Sequence, residues 1–254
     1  MAGTPLAIRY LGHATLRIEL DGVTFLTDPA LRPRLGPLGR VAGPPPAGAA
    51  DGVDAILISH LHHDHLDLAS LAALPPATRI VVPSGAEAWL RDRGFADVVG
   101  LASGERTRIG SVSVEAVAAR HGGRRPGGGP AAPALGYLLE GADSVWFAGD
   151  TGLHPAMADL AGRARVGLLP VWGWGPTLRR RDHLDPSDAA RAAALGGLRI
   201  AVPIHWGTYW PTGFAWLRGG RLSAPPGELV RAAAELAPDI VVRPTSVGDE
   251  VDLR

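Results

Sequence analysis

The chain of 254 residues contains no cysteine, lysine, asparagine or glutamine. Without cysteine, disulfide bridges and thiolate ligands are excluded, so a metal site would have to use histidine, aspartate, glutamate, backbone oxygen or water. No apolar run approaches the roughly 20 residues that a membrane-spanning helix needs, and the N-terminal segment lacks the features of a signal peptide. These absences predict a cytoplasmic protein with no integral membrane segment.

An excess of charge of either sign is also missing. The chain has 25 basic and 25 acidic residues, and its formal net charge is zero. Proteins that bind nucleic acid usually carry a basic excess, so we expect no nucleic-acid partner. The length and the 46% hydrophobic content allow a large core. Because no linker or repeat interrupts the pattern, we predict one domain over residues 1–254.

Short apolar segments alternate with helical ones, which is typical of an α/β sheet. An N-terminal meander of three strands is predicted at residues 6–10, 15–20 and 23–27. Later strands are predicted at residues 55–59, 79–83, 111–116, 134–140, 144–148, 166–170, 200–204 and 240–243. Helices are predicted at residues 66–74, 86–93, 155–161, 186–195 and 228–236. Loops are predicted at residues 32–50, 122–133 and 173–182.

Two of the predicted helices begin with capping signals. Ser84 followed by Glu87 has the spacing of a capping box, in which each side chain bonds the backbone of the other residue. Asp185 before Pro186 combines a favoured N-cap residue with proline in the first turn. We therefore expect both helices to start at these positions.

The strongest chemical signal is the stretch SHLHHDHLD at residues 59–67, which holds four of the nine histidines within six positions. It directly follows the apolar residues 55–58. Asp150, His205 and His121 each follow a further apolar segment, and active sites of α/β sheets lie beyond the carboxyl ends of strands. Taken singly, these residues could form a solvated loop, a turn or a buried structural histidine. Taken together, they predict a metal site.

The spacing within the stretch sorts its side chains into two groups. Residues two apart on an extended segment point the same way, so a histidine pair can hold one ion while the following Asp-His pair holds a neighbouring ion. Two later histidines would complete the two sets, and the later aspartate could bridge them. The candidate metal ligands are His60, His62, Asp64, His65, His121, Asp150 and His205.

The H-x-H-x-D-H pattern at residues 60–65, with His121, Asp150 and His205, resembles the five-motif set of the metallo-β-lactamase superfamily. Other segments resemble the branch that holds N-acylphosphatidylethanolamine-hydrolysing phospholipase D, with ascorbate-6-phosphate lactonase-like hydrolases as more distant relatives. These segments are YLGHAT at 10–15, TDP at 27–29, FAGDTG at 147–152, HLDP at 183–186 and IHWGT at 204–208. Zinc β-lactamases themselves commonly have a cysteine ligand where Asp150 stands, and they match less well.

The resemblance implies an αββα sandwich with a dinuclear site between its two sheets. Two Zn²⁺ ions are expected, with manganese or iron as alternatives for such nitrogen and oxygen ligands. A hydroxide shared by the ions would attack a small phosphodiester, and a lactone or carboxylic ester is the alternative substrate. A metal-binding module without catalysis is a third possibility, which the complete ligand set disfavours. The ligand sets implied are His60, His62 and His121 for one ion, Asp64, His65 and His205 for the other, and Asp150 as the bridge.

Further residues are predicted to act around the ions. Asp64 is a candidate general base as well as a ligand. His183 is a candidate for oxyanion stabilisation or leaving-group protonation, with a plain loop histidine as the alternative. Asp28 and His13 are predicted to hold ligands in place through hydrogen bonds. An Asp-Pro turn is the alternative for Asp28, and a plain loop histidine is the alternative for His13.

Arginine and tryptophan side chains are predicted to line the rim of the site. Arginine forks bind phosphate or carboxylate with two bonds, which favours a small anionic substrate, although a solvated charge run is the alternative. The tryptophans could form an apolar pocket or cover an interface of a homo-oligomer. The candidate substrate contacts are Arg124, Arg125, Arg179, Trp172, Trp174 and Trp206.

Overall fold

Sixteen strands and four α-helices make up the regular structure of the described residues, which are 6–172, 181–217 and 219–254 of a computed structural model. The strands are β1 Ala7–Gly12, β2 Thr15–Leu20, β3 Val23–Thr27, β4 Arg34–Leu35, β5 Leu38–Arg40, β6 Ala55–Leu57, β7 Arg79–Pro83, β8 Val98–Leu101, β9 Arg106–Ile109, β10 Val112–Ala118, β11 Leu135–Glu140, β12 Ser144–Phe147, β13 Val166–Pro170, β14 Ile200–Ile204, β15 Tyr209–Pro211 and β16 Val241–Val242. The helices are α1 Leu68–Ala72, α2 Glu87–Arg91, α3 Pro186–Leu195 and α4 Ala224–Leu236. The segment Pro155–Leu160, predicted as a helix, forms a 3₁₀ helix.

Two mixed sheets carry most of these strands. The first has the order β1-β2-β3-β6-β7-β8, with an antiparallel meander followed by parallel strands. The second has the order β16-β14-β13-β12-β11-β10-β9, antiparallel from β9 to β12 and parallel beyond. In both sheets the parallel strands carry their carboxyl ends to the same edge, which is where the candidate ligands follow.

The two sheets face each other across a shared apolar core. Tyr10 and Phe25 from the first sheet and Tyr137 and Phe147 from the second belong to one buried cluster. Helices α1 and α2 pack on the outer face of the first sheet, and α3 and α4 pack on the outer face of the second. The predicted αββα sandwich and its α/β class are confirmed.

One predicted helix start is present and the other is different. The Asp185 carboxylate accepts from Asp188 N at 2.9 Å and caps α3, as predicted. The capping box of Ser84 and Glu87 does not form: Ser84 N donates to Leu101 O at the end of the sheet, and the Glu87 carboxylate accepts from Gly85 N instead. Helix α2 starts after Ala86, which makes no side-chain capping bond.

The segment predicted as a loop at residues 32–50 contains two strands. β4 and β5 pair with β15 in a small third sheet. The partner strand lies about 170 residues later in the chain, so no local pattern could predict this pairing. Among the helices that the structure describes, none has both the length and the apolar character needed to cross a bilayer.

Candidate metal centre

The candidate ligands follow four strands that end at the same edge of the sandwich. β6 precedes His60, β10 precedes His121, β12 precedes Asp150 and β14 precedes His205. Positive φ angles turn the chain sharply at Gly149 (60°) and at His205 (62°). Gly149 lies so close to Ser59 that a Cβ there would stand 2.5 Å from the Ser59 Cβ. The turn therefore needs glycine. It brings Asp150 against residues 59–67, the histidine-rich loop.

Three imidazoles form the first group of donors. His62 Nδ1 lies 2.9 Å from His60 Nε2 and 3.2 Å from His121 Nε2. His60 is fully buried, and the other two rings are half-buried. Ring nitrogens that carry no proton have lone pairs, and these repel one another at such short distances. A cation at the centre of the three rings would bind the lone pairs and remove the repulsion.

The second group contains Asp64, His65 and His205. His65 Nε2 lies 3.2 Å from His205 Nε2 and 3.7 Å from Asp64 Oδ2, and His205 Nε2 lies 4.0 Å from the same carboxylate oxygen. The two imidazoles are stacked and buried. Their spacing fits ligands that surround one ion.

Asp150 has neighbours in both groups, because one of its carboxylate oxygens lies within 4.8 Å of a ring nitrogen of His121 in the first group. Its Oδ1 stands 3.3 Å from His205 Nε2, and its Oδ2 stands 3.4 Å from His65 Nε2. Among the described residues, no group forms a hydrogen bond to the buried Oδ1. A buried carboxylate oxygen without a partner is unfavourable, and a metal ion would supply the missing partner. The donor set therefore fits a metal centre.

Hydrogen bonds on the far side of three rings decide which nitrogen faces the centre. His65 Nδ1 lies 2.7 Å from Asp28 Oδ2, His121 Nδ1 lies 2.8 Å from Asp182 O, and His205 Nδ1 lies 3.2 Å from Trp172 O. Because carbonyl and carboxylate oxygens only accept, each Nδ1 carries the proton and each Nε2 is left as a donor to a metal.

Asp28 holds two residues of the site through hydrogen bonds. It is fully buried, and it accepts from Ser59 N at 2.7 Å and Ser59 Oγ at 2.5 Å as well as from His65. Burial raises the pKa of its carboxyl, although His65 and Ser59 act in the opposite direction. One carboxylate thus orients both the ligand His65 and the residue that precedes His60.

The protonation states of the candidate ligands suit cation binding, and His65 is the exception. Burial lowers the pKa of His62 and of His205 to about 4, so both rings are neutral near pH 7. Burial alone would raise the pKa of Asp150, but His205 and His65 hold it well below its usual range. Burial disfavours the charged form of His65, yet Asp150, Asp64 and Asp28 raise its pKa well above the usual value. The carboxylates around His65 therefore stabilise a positive charge at this position. A metal ion can supply that charge in place of the proton.

Two more histidines reach the centre. His13 Nε2 lies 3.1 Å from Asp64 Oδ2, and its ring centroid lies 4.0 Å from that of His205. The backbone of His13 has φ 58°, and it is held by Thr208 Oγ1 and by the N–H of His205. His183 Nδ1 lies 3.5 Å from Asp150 Oδ2, on the side of the first group.

Sequence comparison decides the family. The model of the beta-lactamase superfamily domain matches residues 24–206, which include every candidate ligand. The chain belongs to the metallo-β-lactamase superfamily.

Relatives within this superfamily come from distant organisms. A UPF0173 metal-dependent hydrolase from Methanopyrus kandleri is 30% identical over 93% of this chain and 95% of its own length. The N-acyl-phosphatidylethanolamine-hydrolyzing phospholipase D 1 of Caenorhabditis elegans is 30% identical over 79% of this chain. The chain spans only 63% of that phospholipase and 64% of similar mycobacterial proteins. These relatives confirm the branch predicted from the motifs.

A solved structure shares the superfamily fold over almost the whole chain. Igni18, a metallo hydrolase from Ignicoccus hospitalis, superposes with a TM-score of 0.75, with 98% of each chain covered. The two sequences are 22% identical, so the similarity concerns the fold.

Two tryptophans stack on each other next to the second group. Trp172 stacks on Trp210 with ring centroids 5.6 Å apart, and the Trp172 carbonyl accepts from His205. Trp174 and Arg179, also predicted at the rim, lie outside the described residues. Trp172 and Trp210 are 38 positions apart in the sequence, so their stacking depends on the tertiary structure.

Two predicted substrate contacts have other surroundings. Trp206 stacks on Tyr10 and packs against two of the core clusters, and its indole N–H donates to Pro203 O. Arg125 is buried and bonds the backbone of the histidine-rich loop. Arg124, in contrast, is exposed beside Arg125.

Proposed function

We propose that this chain is a metal-dependent hydrolase that holds two ions side by side. The observation that carries the proposal is Asp150 Oδ1, a buried oxygen with no hydrogen-bond partner among the described residues. It lies 3.3 Å from His205 Nε2 of the second group, and a carboxylate oxygen of the same residue lies within 4.8 Å of a His121 nitrogen of the first group. Asp150 would bridge the ions. The proposed ligands are Nε2 of His60, Nδ1 of His62 and Nε2 of His121 for one ion, with Asp64, His65 and His205 for the other.

Zinc is the ion that we propose first. Neutral imidazoles and carboxylates without thiolates suit Zn²⁺, while manganese and iron accept the same donors. When bound, the pair of ions would supply an activated water near neutral pH and polarise the bond to be hydrolysed.

The remaining side chains have separate tasks in this proposal. Asp64 accepts the proton of the attacking water, and His13 Nε2, 3.1 Å from Asp64 Oδ2, holds that carboxylate in position. His183 lies beside Asp150 on the opposite side and protonates the leaving oxygen. Burial lowers the pKa of His183, so near pH 7 the ring is mostly neutral and must take up a proton before it can protonate the leaving oxygen.

A small anionic phosphodiester with an apolar group is the substrate class that we propose. The name of the nematode relative supports phosphodiester chemistry, because a phospholipase D cleaves such a bond. The stacked pair of Trp172 and Trp210 supports the apolar group, since the Trp172 carbonyl lies 3.2 Å from His205 Nδ1 and the aromatic pair is therefore close to the second ion site. A lactone or carboxylic ester remains the alternative.

A panel of substrates on the metal-loaded protein tests this proposal. A bis-aryl phosphodiester, an aryl ester and a lactone should be compared at equal concentration after reconstitution with zinc, manganese or iron. We expect turnover of the phosphodiester and its loss in Asp150→Asn. If the protein hydrolyses the lactone but not the phosphodiester, the alternative substrate class is correct. If it hydrolyses none of the three, a metal-binding module without catalysis is favoured.

A further inference from the structure

Arg125 is a buried cation that makes no ion pair among the described residues. Its guanidinium is bonded instead to the loop that contains the candidate ligands. Nη1 donates to Leu61 O at 3.0 Å and to Leu66 O at 2.9 Å, while Nη2 lies 3.0 Å from His63 Nδ1. Both leucines are fully buried, so these carbonyls have little access to water.

The two carbonyls bracket the ligand-bearing turn. Leu61 precedes His62 and Leu66 follows His65, so one guanidinium ties both ends of the segment that carries three proposed ligands. Inside the segment, His65 N and Leu66 N both donate to His62 O and close the turn. The turn is thus fixed from within by its own backbone and from outside by Arg125.

The loop that carries Arg125 is shaped to deliver this side chain. Arg125 N donates to Pro130 O at 3.0 Å, and residues 124 and 131 form an antiparallel bridge. A Cβ at Gly129 would stand 2.6 to 2.8 Å from the Arg125 side-chain carbons. The loop therefore needs a residue without a side chain where the arginine stem passes. On the other side, the guanidinium lies 5.0 Å from the Trp89 ring of α2.

Only arginine satisfies all these partners at once. A guanidinium donates several N–H bonds in a planar fork, whereas a lysine ammonium is a compact point charge and a methionine donates nothing. Loss of the fork would leave two buried carbonyls unpaired at the ends of the turn. The ligands between them would then lose their fixed orientation.

We propose that Arg125 is a positioning residue, which holds the turn from Leu61 to Leu66 in the geometry that binds metal. This inference rests on the proposed function, since it concerns the same ions. It also gives the glycine-rich loop a role in building the centre rather than in contacting substrate.

Metal affinity measured without substrate tests this role. Zinc dissociation constants should be determined by competition with a chromogenic chelator for the wild type, Arg125→Met, Arg125→Lys and Gly129→Ala. Removal of residues that orient ligands typically weakens metal binding about 10- to 100-fold, and we expect this for Arg125→Met. Arg125→Lys should recover part of the loss, and Gly129→Ala should reproduce part of it. The absorption spectrum of the cobalt-substituted protein should change in the same order.

Arg163→Met is the matched control for general destabilisation. Arg163, unlike Arg125, bonds charged partners, Glu115 and Glu140, and none of its bonds given by the structure reaches the histidine-rich loop. Arg163→Met should lower the melting temperature of the metal-free protein, while its zinc affinity stays within about threefold of the wild type.

Two results would overturn the inference in different ways. If Arg125→Met keeps wild-type zinc affinity and only KM rises, Arg125 contacts substrate and the positioning role is wrong. If the wild-type chain binds no zinc, manganese or iron, the proposed function fails together with the inference. Should Arg125→Met not fold, unchanged affinity in both Arg125→Lys and Gly129→Ala would be the contradicting result.

Discussion

At the scale of single residues, the ligand rings are held by partners that do not touch the proposed ions. Asp28 is the clearest example, because it is fully buried and bonds His65 and Ser59 at once. The motif TDP showed that this residue was worth attention, but an aspartate before proline also suits a simple turn. Only its contact with His65 distinguishes the two interpretations.

Substitution Asp28→Asn should therefore weaken metal binding. The amide keeps the shape of the carboxylate but loses its charge, so the Nδ1 proton of His65 is held less firmly. We expect zinc affinity to fall about 10- to 100-fold, measured by chelator competition. Asp97→Asn is the control, because Asp97 pairs with Arg79 near the surface. Equal affinity of the Asp28 and Asp97 variants would contradict the role of Asp28.

His183→Ala should separate catalysis from metal binding. His183 contacts Asp150 but lies outside the seven proposed ligands. We expect kcat on the phosphodiester to fall about 10²- to 10⁴-fold, the range for loss of a general acid, while two ions stay bound per chain. Loss of one ion by elemental analysis would instead make His183 a ligand.

The neutral buried histidines predict how stability depends on pH in the metal-free chain. The pKa values of His62 and His205 are about 4 in the folded state, below the ordinary value of about 6.5. Between these values the unfolded chain binds more protons, so the free energy of unfolding should fall as the pH drops from 6.5 towards 4. His65 has a raised pKa and acts mainly above pH 6.5.

Urea denaturation in the presence of a chelator would measure this slope. His62→Gln removes one of the histidines whose pKa is lowered by folding, and it should make the fall in stability shallower. Parallel slopes for the variant and the wild type would show that His62 is not a neutral buried group in the folded state.

At the scale of elements, the connection between β1 and β2 does more than join two strands. Gly12 has φ 103°, and a Cβ there would stand 2.8 Å from the Thr208 side chain, which in turn accepts from His13 N. The sequence YLGHAT signalled a family motif, but its physical reason is this close approach of two chain segments that are almost 200 residues apart.

Gly12→Ala should destabilise the protein more than Gly22→Ala. Both glycines have positive φ, so both variants carry backbone strain of about 1–3 kcal/mol. Only at Gly12 does the added methyl also meet a neighbour, since nothing lies within 4 Å at Gly22. We expect the difference to appear in the free energy of unfolding and in weaker zinc binding of Gly12→Ala alone. Equal losses in the two variants would show that Thr208 moves aside without consequence.

The elements also show where local patterns succeed. The cap at Asp185 was predictable, because an aspartate side chain and its helix N–H groups are neighbours in the chain. The cap at Ser84 failed, because the serine backbone pairs with β8, a strand that was not predicted. The small sheet of β4, β5 and β15 was missed for the same reason, since its pairing partners are distant in sequence.

At the scale of the whole molecule, the proposed metal centre joins the two sheets. The histidine-rich loop follows the first sheet, while His121, Asp150 and His205 follow strands of the second. Leu135 N donates to Ser59 O at 2.9 Å, so the sheets are also linked directly beneath the site. Ions bound there would link the two halves of the sandwich.

Metal removal should therefore lower the melting temperature of the whole chain. A ligand present at 100 times its dissociation constant stabilises the folded state by about 2.7 kcal/mol per site. Calorimetry with and without a chelator should show one lowered transition, which returns when zinc is added back. In Asp150→Asn, the difference in melting temperature with and without chelator should be smaller. An unchanged melting temperature of the wild type on addition of chelator would contradict the proposal.

The sequence alone determined the fold class, the family and the set of candidate ligands. These follow from local information, namely apolar segments of strand length and polar residues at their carboxyl ends in a recognisable order. Tertiary structure alone decided that Arg125 bonds the ligand loop, that Trp206 packs on Tyr10 and that His13 contacts Asp64. Each of these depends on where a side chain points after distant strands have paired, and the one-dimensional pattern carries no such information.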